Sequence, residues 1–545
     1  MSRHSFVIRS AAIVLALAIT VPADLLAATP ALPNTETVNW KVMSQIRNEG
    51  FRNSKVMEIE EQLTDVIGPR LTGSPNMKAA NDWTRDKFTE WGLINSHLES
   101  YPFGRGWTND FTEVRMVVPQ AAQLLAFPKA WTVSTNGAQR APAIKVKLAT
   151  QADLDKYKGQ LAGKIVLNGD MRDIKPGDKP ALQRYDDKEL ADLAKYEIPS
   201  EKPRYSPQEI AQRMAFQKTL NQFLMDEKAV AIIDPSRSGD NGLVFVSSGA
   251  SYEPGMPAGI PSLVMAIENY GRIARLLDKN IPVELEVDVR NNFFDADLNA
   301  FNTIAEIPGS DKKDEIVMLG AHLDSWHAGT GATDNAAGSA IVMEAVRILK
   351  AIGFQPRRTI RVGLWSGEEE GLLGSAAYVK QHFGAHVPPT DPKELAMPEW
   401  LRKNDTPLNL KPEQAKVSAY FNVDNGTGKI RGIYTQENDA VAPIFGAWMQ
   451  PFGDLGMTTV TDRNTGGTDH ESFDAVGIPG FQFIQDPVEY MTRTHHSNMD
   501  VYERIQRDDM MQAAVILAAY VYDAAMRDSM LPRKPLPKSV PAAKP

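Results

Sequence analysis

No cysteine occurs among the 545 residues. Disulfides, thiolate metal sites and cysteine nucleophiles are therefore all excluded. Positive charge is also scarce: 59 Lys and Arg against 68 Asp and Glu leave a formal net charge of −9. A broad cationic surface for nucleic acid is not expected from that balance. One segment, 508–526, approaches the roughly 20 apolar residues that cross a bilayer, but Gln512 and Asp523 interrupt it. It reads as a buried closing helix, and no membrane span is expected. What is present is ordinary for a globular protein, 43% hydrophobic and 23% charged. The length implies two or more domains.

Arg3 and Arg9 precede an apolar run from Ala11 to Ile19, and Ala27 and Ala28 follow. A positive start, a short apolar core and a small-residue exit make residues 1–28 a signal peptide. The chain is expected to be exported, to periplasm or medium, with a mature end near Ala28 or Thr29.

Val56, Ile59, Leu63, Val66 and Ile67 recur at helical spacing, and a second helical stretch runs to about Trp91. From roughly residue 115 the texture changes to short strands and Pro/Gly loops. Segments 164–167, 229–233 and 263–265 read as short buried strands, and Val283, Leu285, Val287 and Val289 alternate with acids at period two. The charged, proline-rich stretch 170–207 reads as a long surface excursion. After Phe301 the pattern becomes strand, loop and helix. Segments 316–319, 359–365, 417–423 and 480–484 are apolar runs of strand length, with helices near 336–349 and 371–382. Such alternation predicts an α/β fold with a doubly wound, largely parallel mixed sheet flanked by helices. The expected organisation is a first domain part over 29–115, a β-rich insertion over 116–294, a second part over 295–530 and a flexible tail over 531–545.

The polar residues of interest follow the strands of the second part. His322 and Asp324 follow the first, and Asp334 sits in the glycine-rich loop beyond. Glu368-Glu369-Glu370 follows the second, Asp424 the third, and His495-His496 comes after the fourth. Sites in open α/β sheets form outside the carboxyl ends of strands, so these groups can converge. Two imidazoles and several carboxylates without a thiol suit hard-to-borderline divalent ions. The set exceeds the three protein ligands and open position of a single catalytic zinc, so two ions sharing a carboxylate is the economical reading.

The order His322, Asp334, Glu368-Glu369, Asp424, His496 resembles the two-zinc exopeptidases of metallopeptidase family twenty-eight, over about 50–115 and 295–526. The intervening segment is similar to the protease-associated domain often inserted in that family. The resemblance implies a zinc exopeptidase fold in which His322 and Asp424 bind one zinc ion, Glu369 and His496 the other, and Asp334 bridges both. Asp324 would orient the His322 imidazole, and Glu368 would be the general base. His470, in the loop 466–473, and His495 are candidate substrate contacts, each with a packing role as the alternative. Glu370 reads as structural, Asn335 stands where many relatives carry a second acid, and His327 reads as an exposed loop histidine. The implied substrate is a short peptide. The long insertion tilts towards the plasma glutamate carboxypeptidase (carboxypeptidase Q) branch and hence towards dipeptides, with a homodimer as a further expectation. Two alternatives compete: a receptor-like binding protein on the same fold, and a glutaminyl-cyclase-like acyltransferase using one zinc.

Overall fold

The computed structural model describes residues 36–175, 178–197, 206–402 and 406–536. The expected signal segment 1–28 and the end of the tail lie outside these. Everything below concerns the compact unit that begins at Val38.

An eight-stranded mixed sheet carries the second half of the chain. Its spatial order is Ile94–Pro102, Asn299–Ile307, Arg358–Trp365, Lys312–His322, Val417–Asn422, Gly480–Gln485, Ile430–Tyr434 and Thr459–Thr461. The four strands at its centre, from Arg358–Trp365 to Gly480–Gln485, run parallel, whereas Asn299–Ile307 and Ile430–Tyr434 join them antiparallel. The centre is therefore the parallel sheet that the apolar runs predict, and antiparallel edges make the whole mixed. Strands covered on both faces show continuous burial rather than alternation. Val417–Asn422 and Gly480–Gln485 are buried at every position.

The Ala337–Ala351 helix lies on one face of this sheet. Against it packs the closing helix Arg507–Met526, buried from Asp509 to Ala525. The Leu373–His382 helix covers the other face, where Tyr378 meets Trp365 and Phe383 packs edge-on against Tyr378. At Gly320 the central strands come too close for a side chain. A Cβ there would stand 2.4 Å from the Gly363 carbonyl and 2.9 Å from the Trp365 indole nitrogen. The Pro75–Glu90 helix starts where Ser74 caps the Met77 N–H and proline occupies the first turn. Three of the longer helices, Trp40–Arg52, Pro207–Asp226 and Ile267–Asp278, are not among those read from the sequence. Trp40–Arg52 buries only Met43, Ile46 and Gly50, too narrow a stripe to stand out.

A second eight-stranded sheet fills the middle of the chain. Its long strands Gly106–Val118 and Glu284–Phe294 pair antiparallel, and Gln139–Val146, Ile165–Asn168, Ala231–Pro235 and Ser262–Met265 follow in parallel. It begins at Gly106, ahead of the change of texture in the sequence. The period-two pattern holds: Leu285, Val287 and Val289 are fully buried, beside Val114, Met116 and Ile273. The stretch 170–197 is not a free excursion. Arg184 pairs with Asp486 and Asp509, Gln183 bridges to Val488, and the Leu193 carbonyl accepts from Thr461. The described start of the tail is likewise docked, with Leu531 buried and Arg533 donating to the Gln414 carbonyl. Among the described residues no helix is long and apolar enough to cross a membrane.

Candidate metal centre

The carboxyl ends of the central strands deliver four of the groups directly. His322 closes its strand, and Ser339 Oγ of the following helix donates to its carbonyl at 2.8 Å. Asp424 follows Val417–Asn422, and the Glu368-Glu369 pair follows the turn after Arg358–Trp365. Asp324 ties the two strand ends together. Its carboxylate lies 3.5 Å from His322 Nδ1, and its two oxygens accept the backbone N–H groups of Glu368 and Glu369, each at 3.3 Å. Thr72 donates to the same carboxylate at 3.2 Å.

Asp334 stands at the middle of the cluster. Its loop is held by Asp500, whose carboxylate accepts the Thr333 N–H at 2.6 Å and the Asp334 N–H at 3.2 Å. The two Asp334 oxygens face opposite imidazoles: Oδ1 is 3.3 Å from His322 Nε2, and Oδ2 is 3.3 Å from His496 Nε2. Asp424 Oδ2 lies 3.7 Å from His322 Nε2, and Glu369 Oε2 lies 2.9 Å from His496 Nε2. His322, Asp334 and Asp424 thus form one group able to hold a divalent ion, and Asp334 with His495 and His496 forms another. His322 Nε2, Asp334 Oδ2 and Glu369 Oε1 are buried without a hydrogen bond. Orphaned, converging nitrogen and oxygen donors are what a metal centre requires of its protein. A small cavity of about 10 Å³ lies among Trp326, Asp334, Glu369, His496 and Asp500.

Burial and crowding of like charge set the titration of the cluster. Burial pushes the Glu368 carboxyl well up; His322 pulls the other way, and Asp424 and Glu369 add to the rise. Glu369 is raised by burial and by the Asp334 charge. For His322 burial disfavours the charge, but the facing carboxylates of Asp424 and Glu368 outweigh it and hold the imidazole well above its ordinary range. Burial resists ionisation of Asp334, yet the facing His322, His496 and His495 rings hold it below the usual carboxylate range.

Seven residues singled out from the sequence, His322, Asp324, Asp334, Glu368, Glu369, Asp424 and His496, come together in this structure. The two candidate substrate contacts behave differently. His495 stacks on His496 with ring centroids 3.7 Å apart and reaches Asp334 at 3.9 Å, while burial depresses it to about 4. His470 is buried and tied to the Thr465 carbonyl at 2.9 Å and to Gln436, an anchoring role in its own loop. Its neighbour Asp469 is the member of that loop whose charge bears on the cluster. Burial, with Asp324 and Asp424, lifts it to about 7 against the pull of His322. His327 is not an exposed loop histidine. Its ring meets Trp107 edge-on at 4.9 Å, and Nε2 contacts the Pro128 carbonyl at 2.8 Å.

Several supporting residues gave no signal of their own. Arg70 is fully buried and donates to the carbonyls of Leu63, Gly68, Leu323, Thr330 and Gly331. Trp326 meets His496 edge-on at 6.1 Å and Trp131 at 6.2 Å.

Comparison with known proteins adds the class. Residues 302–521 match the model of peptidase family M28, and that span holds the whole cluster. Carboxypeptidase Q of Rattus norvegicus is 25% identical over 496 residues, covering 91% of this chain and 89% of the relative. Leupeptin-inactivating enzyme 1 of Streptomyces exfoliatus is 31% identical over 188 residues, covering 34% of this chain and 36% of its own length. Among solved structures, a peptidase M28 precursor from Shewanella amazonensis superposes with a TM-score of 0.63 at 26% identity, covering 91% of this chain and 98% of its own. A zinc aminopeptidase from Bacillus subtilis shares the fold with a TM-score of 0.53 at 19% identity, over 88% of this chain and 96% of its own. The parallel sheet centre with imidazoles and carboxylates gathered at its carboxyl edge is that of an α/β metallopeptidase. Residues 302–521 match peptidase family M28, and the chain is similar to carboxypeptidase Q over nearly its full length.

Proposed function

We propose that the chain is an exported zinc exopeptidase that hydrolyses short peptides, dipeptides included. The observation that carries this reading is Asp334, whose two oxygens face His322 and His496 from opposite sides. That arrangement suits a carboxylate shared by two ions, His322 and Asp424 serving one, Glu369 and His496 the other. It supports two ions over the single ion of a cyclase-like acyltransferase. The full donor set beside Glu368 supports catalysis over a receptor role. When bound, such ions polarise a carbonyl and lower the pKa of water.

The protein's own groups then have defined tasks. Glu368 takes a proton from the attacking water as the water oxygen adds to the scissile carbonyl carbon. It returns that proton to the leaving nitrogen as the C–N bond breaks. Burial among other acids raises its pKa, which brings a carboxyl nearer the operating range of an acid–base catalyst. Asp324 orients both the His322 ring and the Glu368-Glu369 backbone. In the same reading, the middle of the chain, from the strand that starts at Gly106 rather than from residue 116 and on to about residue 294, is a protease-associated-like insertion between the two parts of the peptidase domain. The separate core around Leu285, Val287 and Ile233 supports this.

The test is a panel of free, N-blocked, C-amidated and doubly blocked dipeptides, assayed with and without a chelator. Chelation should abolish hydrolysis, and zinc should restore it. Hydrolysis of the N-blocked peptide at full rate would exclude aminopeptidase and dipeptidase action together. Full-rate cleavage of the doubly blocked peptide would exclude an exopeptidase altogether.

A further inference from the structure

His496 has a backbone φ of +60°, a left-handed conformation that a residue with a Cβ rarely adopts. Besides the local turn in which the Ser497 N–H donates to the Thr494 carbonyl at 2.9 Å, the segment paired to it comes from the middle of the chain, not from the peptidase sheet. Val246 N–H donates to the His496 carbonyl at 3.0 Å, and Phe245 forms an antiparallel bridge with Ser497. Asn498 closes the contact on both sides. Its backbone N–H donates to the Val244 carbonyl at 3.1 Å, its Oδ1 accepts the Val244 N–H at 2.8 Å, and its Nδ2 donates to the Gly242 carbonyl at 3.2 Å. Val244 and Val246 are themselves buried, so the pairing partner is anchored. His322 has no such dependence, because its backbone is part of the central strand.

We infer that Gly242–Val246 is a brace for His496 and that Asn498 is the positioning residue that locks it. The inference rests on the two-ion reading above. It implies that the two ions are held by different parts of the molecule, the Glu369–His496 ion depending on the contact with the middle segment. Loss of supporting contacts around a metal ligand typically costs ten- to a hundredfold in metal affinity or activity.

The experiment is zinc titration of the metal-free full-length protein, followed by calorimetry and by metal content after dialysis. Asn498→Ala should weaken one of the two ions about tenfold or more, leave the other unchanged, and barely move the unfolding temperature of the metal-free protein. Asn498→Asp keeps the acceptor for Val244 N–H and should fall between Asn498→Ala and the wild type. The ion that Asn498→Ala retains should be the one that Asp424→Asn loses, so the double variant should hold neither tightly. Thr461→Val removes a different bond to the middle segment, the one to the Leu193 carbonyl, and should change neither ion. If Asp424→Asn and Glu369→Gln each lose one ion but Asn498→Ala binds both with wild-type affinity, the brace is wrong and the site reading stands. Equal weakening of both ions by Asn498→Ala would also overturn the brace. If Asp424→Asn and Glu369→Gln each keep both ions, the site reading itself fails, and the brace with it.

Discussion

The two halves of the centre are built by different means. His322 ends a central strand, paired with Trp365, and Asp424 stands two residues beyond the adjacent parallel strand Val417–Asn422; the sheet and full burial place them. Glu369 and His496 sit on loops. The first is held by Asp324 through a backbone N–H, and the second by a left-handed residue paired to the other sheet's connecting segment. One half is thus a consequence of the sheet, and the other is assembled by long-range contacts. The comparison teaches that a site can be continuous in space while its supports have unrelated origins.

The sharpest way to break that comparison is at the adjacent acids. Neighbouring side chains leave the backbone in different directions, so Glu369 can coordinate while Glu368 faces the reacting water. Glu368→Gln preserves shape but removes the basic oxygen. Turnover should fall about a hundredfold or more, the range for loss of a general base, with both ions retained. Raised pH should not restore it, because an amide cannot accept the proton. Glu369→Gln should instead lower metal content and be partly rescued by added zinc. Metal content and rate measured side by side decide the matter, and the opposite pattern would exchange the two roles.

Arg70 tests the strand-end half. Its guanidinium spans the loop that leads from His322 to Asp334 through the carbonyls of Leu323, Thr330 and Gly331. Glu60, Asp500, Asp324 and Asp334 surround it with negative charge. Arg70→Met keeps the stem but strands these carbonyls and leaves the buried acids uncompensated. Breaking a buried charge pair costs about 3–5 kcal/mol. Chemical denaturation of the metal-free protein should show a loss of that order. A cost under about 1 kcal/mol would mean that the loop is held by its backbone alone.

The same division explains what the sequence reveals. Strands such as Val417–Asn422 and Gly480–Gln485 are continuous apolar runs, and their polar successors are therefore conspicuous. Position and residue type bring forward His322, Asp334, the Glu368-Glu369 pair, Asp424 and the His495-His496 doublet as one set, while the choice of His496 within its doublet comes from the family resemblance. The supports are not legible. Asn498 and Arg70 act on backbone carbonyls and N–H groups far along the chain, which leave no periodicity. The stretch 170–207 reads as a surface excursion because the docking of its described part uses Arg184 and a few carbonyls rather than an apolar stripe. His327 looks like a loop residue for the same reason: the aromatic wedge that encloses it comes from Trp107 as well as its neighbour Trp326.

The smallest expected effect sharpens the contrast from the opposite edge of the sheet. There His382 lies 2.9 Å from Glu99 and 3.8 Å from Glu413, and Arg361 pairs with both Glu413 and Glu306. This cluster is charge-compensated, unlike the centre. Burial lowers the His382 pKa, but the facing carboxylates of Glu413 and Glu99 overcome it and raise it from 6.5 to about 9. The facing His382 ring, with Arg361, lowers Glu413 from 4.5 to about 2. A raised histidine contributes stability that is fully present below pH 6.5 and lost as pH climbs through about 9. A lowered carboxyl contributes stability that is present above pH 4.5 and lost as pH falls through about 2. Both contributions are therefore complete only between pH 4.5 and 6.5. Because both side chains are partly solvated, the expected contribution is screened to about 1 kcal/mol or less. His382→Gln should lower the unfolding temperature by no more than about 2 °C within that window, and the difference from wild type should vanish above pH 9. A difference that persists unchanged above pH 9 would mean that the ring is held by its stacking on Tyr378, 4.4 Å between centroids, rather than by charge.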